Sequence, residues 1–71
     1  MKVIVQIKFN SRTQRVVKFD DLRYLVYICS EKESPNAMNE FLELMSREFS
    51  ISQARIKYLG KKGEGYLLEV K

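Results

Sequence analysis

The residues with the most chemical promise are six in a row, Gly60-Lys61-Lys62-Gly63-Glu64-Gly65. Glycines bracketing lysines are what a phosphate-cradling loop uses, because bare backbone N–H groups and a cation can then close on an anion. A P-loop, however, needs Gly-x4-Gly-Lys-Ser/Thr followed by a helix N-terminus. Here the spacing differs, and the "YLLEV" that follows reads as a strand. Directly opposed residues of an antiparallel pair share a face, so an odd loop is expected. Pairing Tyr58 with Tyr66 and Gly60 with Glu64 leaves Lys61-Lys62-Gly63 as a three-residue hairpin loop, with Gly63 at positive φ. The stretch is read as a turn that carries cations.

Other reactive groups are sparse. The chain has no histidine, which removes Ser-His-Asp and Cys-His nucleophilic pairs and the commonest zinc ligand. Its single cysteine, Cys29, can form no internal disulfide and is read as a small buried hydrophobe on a strand beside Ile28. Asp20-Asp21 and Glu31/Glu33 are read as solvated loop acids rather than a Mg²⁺ site. Neither catalysis, a metal nor a cofactor is expected.

The elements that must position these groups follow from hydrophobic period. In "VIVQIKF", Val3, Val5, Ile7 and Phe9 alternate with Ile4, Gln6 and Lys8, a half-buried strand over 3–9. After the polar "NSRTQ", "RVVKF" reads as a second strand, and "LRYLVYIC", apolar on both faces, as an interior one. Ser34 suits an N-cap and Pro35 a first helical position. Met38, Phe41, Leu42, Met45 and Phe49 then recur at helical spacing, which predicts an amphipathic helix over 35–49 packed on the sheet. Strands at 55–59 and 66–70 complete a single domain over residues 1–71. The fold class expected is α+β in two layers, one helix on a four- to five-stranded mixed sheet.

With 45% apolar residues and 31% charged, the composition is that of a folded domain, and the net charge is +4. The charge is uneven: residues 1–29 carry six basic and two acidic side chains, 30–50 two and five, and 51–71 five and two. The longest apolar run, "YLVYIC", is far short of the roughly 18 residues that cross a bilayer. With no secretory pattern at the N-terminus, a reducing cytoplasm is the expected location.

With the helix on one side of the sheet, the other side should expose Lys2, Lys8, Arg55, Lys57 and Lys71. Which face of the long third strand points inward stays open; one choice adds Arg23, Leu25 and Tyr27 to the exposed set. Glu40 and Glu43 are placed on the outer face of the helix. Cations interleaved with an aromatic ring on a sheet are how sheet-type modules hold single-stranded RNA. The first reading is therefore a binding module for RNA or another polyanion that uses Lys2, Lys8, Arg12, Arg15, Arg55, Lys57, Lys61 and Lys62. If six phosphates were neutralised, log K would fall with log[salt] at a slope of about −4. The alternative is a protein partner or self-association through a sheet edge or the apolar Ile4, Leu25 and Leu67.

Two segments carry a family likeness. "IKFNSRTQRV" and, more closely, "SPNAMNEFLELMSREFSISQARIKYLG" resemble the YggU-like family of small uncharacterised α+β proteins. Asn36 matches the asparagine of that family's helix-start motif, and Gly60 its later glycine. The resemblance implies a β-β-loop-α-β-β order; nucleic-acid binding has been suggested for the family. The departures are specific. Phe9 and Pro35 replace the family's proline and alanine, and Ser34 its lysine. Gly63, Glu64 and Tyr66 stand where it has Ser-Arg-x-Lys, and its C-terminal helix has no counterpart among these residues.

Overall fold

In a computed structural model that describes residues 1–71, the alternating N-terminal segment becomes β1 (Lys2–Lys8), the middle strand of a five-stranded sheet. The other strands are β2 (Arg15–Asp20), β3 (Arg23–Tyr27), β4 (Ile56–Lys62) and β5 (Gly65–Val70), in the spatial order β2-β3-β1-β5-β4. β1 and β3 run parallel, and the remaining pairs are antiparallel. The sheet is therefore mixed, as expected from the sequence. Three strands precede the helix, one more than the YggU-like resemblance implies. β3 lies between β1 and β2, so the 9–14 connection must cross its end. It is tied there by Asn10 N–H to the Ser30 carbonyl and Ser11 N–H to that of Ile28, both 2.9 Å.

The helix α1 spans Ala37–Phe49 and lays Ala37, Phe41 and Met45 on the sheet. They close on Val3, Val5, Tyr24, Val26, Ile28, Ile56 and Leu68, which form one buried cluster. Apolar residues four apart stack along one helix face, which is why this stripe is fully buried while Met38, Leu42, Leu44 and Phe49 pack beside it half-buried. No helix is long and apolar enough to cross a membrane.

Three local expectations are corrected. The helix begins two residues later than 35, because Pro35 and Asn36 form the turn that leads into it. Ser34 caps that turn by accepting the Asn36 N–H at 3.2 Å, and the first helical bond runs from Glu40 N–H to the Asn36 carbonyl. The β4–β5 hairpin also differs. Tyr58 pairs with Leu68 and Gly60 with Leu67, so Leu59 is an extra, bulged residue, and the strands close on a two-residue turn at Gly63-Glu64. Gly63, with φ +60°, takes the first turn position, where a type II′ hairpin requires a positive φ. A bulge shifts the pairing by one residue, and this was what the parity argument lacked. Finally, Cys29 is exposed and not buried. β3 ends at Tyr27, and Ile28 takes the last inward position.

Candidate nucleic-acid interface

The parallel register settles the face of β3. Val5 lies beside Tyr24 and Ile7 beside Val26 toward the helix, so Arg23, Leu25 and Tyr27 join Ile4, Gln6 and Lys8 on the open side. Three rows cross that side. Arg15, Tyr27 and Lys8 form the first, with both cations exposed and the ring half-buried between them. Val17, Leu25 and Gln6 form the second, which Gly65 and Lys62 extend; Arg23, Ile4 and Leu67 form the third. Lys2, Glu69 and Lys57 lie beyond them.

The charges are therefore segregated. The open side carries Lys2, Lys8, Arg15, Arg23, Lys57 and Lys62 against Asp20 and Glu69. Of these cations only Arg23 is in an ion pair, with Asp20 at 2.7 Å. The Leu22 N–H at 2.9 Å and then Arg23 hold the Asp20 carboxyl below its usual range. Its partner Asp21 bonds Lys18 at 3.1 Å, so the acid pair at this turn is occupied in fixing the β2–β3 connection. Glu31, Glu33, Glu40, Glu43 and Glu48 all belong to the loop and helix on the other layer.

Not every cation expected at the interface is there. Lys61 pairs with Tyr66, whose ring packs toward Phe41, so it lies on the helix side and not with Lys62. Arg12 is exposed in the loop over the end of β3, and Arg55 ends a short 3-10 turn (Gln53–Arg55) before β4. Both stand off the rows. Of the two positions read as resembling the family motif, only Gly60 has a structural explanation. Asn36 precedes the helix without a side-chain cap bond, and Gly60 occupies the β4 bulge at φ +124°, a conformation L side chains rarely adopt.

Two features were missed in the sequence. One is a hollow of about 470 Å³ floored by Ile4 and Leu67, walled by Leu22 and rimmed by Lys2, Arg23 and Lys62. The other is Glu40, which is not a free outer-face acid. Its carboxylate accepts the Cys29 N–H (2.8 Å), the Ser30 N–H (3.0 Å), the Ser30 hydroxyl (2.6 Å) and the Gln14 side-chain amide (2.8 Å). It thereby clamps the two loops at the end of the sheet that carries Arg15, Tyr27 and Lys8. Burial pushes the Glu40 carboxyl up, but the Ser30 hydroxyl, the Cys29 N–H and the other two donors outweigh it and hold it at about 2. A smaller cavity of about 290 Å³ on the helix side, among Phe9, Met38, Phe41 and Tyr66, has Lys32 and Glu33 of opposite sign at its mouth. Its one cation is matched by one acid, whereas the open-face hollow has three cations, Lys2, Arg23 and Lys62, to the single acid Asp20.

No family model matches the chain, and no similar curated protein or solved structure was found.

Proposed function

We propose that this is a non-catalytic module that binds single-stranded nucleic acid across the open side of its sheet. The observation that carries the reading is the row Arg15-Tyr27-Lys8, an aromatic ring between two unpaired cations, on a face from which most acids are excluded. A ring of this kind stacks on a base of any sequence, while neighbouring cations hold phosphates. Five strands at about 4.8 Å spacing make a face about 19 Å wide, and four-stranded modules already stack two or three bases on such a surface. A single strand with splayed bases fits a flat, partly apolar sheet; a duplex presents mainly backbone. The likeness of residues 34–60 to the YggU-like family points the same way, and the reading stands on the surface rather than on that likeness.

The apolar Ile4, Val17, Leu25 and Leu67 favour a second reading, a protein partner. Self-docking is opposed by charge, since two copies face to face would set Lys2, Lys8, Arg15, Lys57 and Lys62 against one another. An acidic partner would escape that objection. Salt distinguishes the two, because apolar association persists where phosphate contacts weaken.

Fluorescence anisotropy with a labelled RNA oligomer across a salt series tests the proposal. The unpaired cations on the face give an expected slope of log K on log[salt] of about −3.5, from about 0.7 per phosphate. Lys8→Glu with Arg15→Glu should weaken binding about tenfold or more, and Lys32→Glu with Lys61→Glu, on the helix side, less than about threefold. Equal losses from the two pairs would refute an open-face site.

A further inference from the structure

Resting on that reading, we infer that the hollow over Ile4 and Leu67 is a subsite for one nucleotide of the strand, with its base on the apolar floor and its phosphate on Lys2 and Lys62. The cations come from three strands, Lys2 from β1, Arg23 from β3 and Lys62 from β4, so the sheet itself fixes their spacing. They are not equivalent. Arg23 is already bonded to Asp20, and that carboxylate, held by the Leu22 N–H, repels a phosphate from its end of the hollow. Lys2 and Lys62 carry no such partner. The nucleotide is thereby oriented, with its phosphate away from Asp20 and its base over Ile4 and Leu67.

The lining decides between a nucleotide and a bare anion. The hollow is an open depression of about 470 Å³, so a ligand would lie on its floor rather than be enclosed. Inorganic phosphate would leave Ile4 and Leu67 uncovered, whereas a base covers both. Leu22, 52% exposed on the β2–β3 turn, supplies an upright apolar wall beside that floor. The hollow and the Arg15-Tyr27-Lys8 row lie at different ends of the face, so one strand crossing the sheet meets both.

The test uses methyl NMR of the intact chain with a six-residue oligoadenylate RNA, adenosine 5′-monophosphate and inorganic phosphate as separate probes. A base over the floor should move the Ile4 and Leu67 methyl resonances upfield by its ring current. The oligomer should do this, the mononucleotide should do it at higher concentration, and phosphate should not. In anisotropy with the oligomer, Leu67→Thr should weaken binding about fivefold with an unchanged salt slope, and Lys62→Gln should flatten the slope by about 0.7. Backbone amide shifts at Tyr27 and Lys8, recorded on the same samples, with still Ile4 and Leu67 methyls would overturn the subsite and leave the general reading intact. Equal responses to phosphate and mononucleotide would reduce it to an anion site. Silence with all probes at low salt would defeat the subsite and the function together.

Discussion

Four donors converge on the Glu40 carboxylate, and they make the end of the sheet around Tyr27 dependent on its charge. The sign follows from linkage. A carboxyl held at about 2 in the folded chain, against an ordinary value of 4.5, contributes stability that is complete above pH 4.5. That contribution is lost as pH falls toward 2. Glu40→Gln removes the charge and turns an amide donor toward backbone N–H groups. It should cost about 1 kcal/mol at pH 7, a figure kept small because the half-exposed donors regain water. Urea denaturation of both forms at pH 7 and pH 3 checks this. The difference between them should shrink at the lower pH, and an unchanged difference would assign the loss to packing. None of this was legible in the chain, where Glu40 has the spacing of an outward helix residue. Its role comes from Gln14 and Ser30, brought to it by loops whose paths no local pattern encodes.

At the scale of elements the sequence was far more informative, because period and burial coincide. Val3, Val5 and Ile7 alternate and form a strand; Ala37, Phe41 and Met45 recur at fours and form the buried helix stripe. Two signals were ambiguous for physical reasons. "YLVYI" is apolar on both faces, so only its register beside β1 shows which side is open. The β4–β5 hairpin was misread because a bulge has no unique signature, and Gly60 marked it without saying where the loop ended. The bulge makes its own prediction. No atom crowds a Cβ at Gly60, so the cost of Gly60→Ala is conformational, set by φ +124°, and should be about 1–2 kcal/mol in urea denaturation. Stability equal to the parent would show that the hairpin re-registers to a bulge-free pairing.

For the whole molecule, what matters is that one helix packs on one side of a five-stranded sheet and that five of the nine acids lie in that helix and the loop before it. Lys2, Lys8, Arg15, Arg23, Lys57 and Lys62 then share a face, although in the chain they are scattered over four strands. The segment charges hinted at this, since the acid-rich stretch 30–50 is the loop and helix. The expected set was nevertheless only partly gathered. Lys61 went to the helix side because strand alternation separates it from Lys62, and Arg12 and Arg55 stand off the rows. An amide NMR titration of the labelled chain with a short single-stranded RNA at low salt tests the central claim most directly. The shifts should concentrate on Gln6, Lys8, Leu25, Tyr27 and Leu67, leave the outer face of α1 still, and collapse as salt is raised. Unchanged spectra at low ionic strength, or shifts centred on the helix, would contradict it.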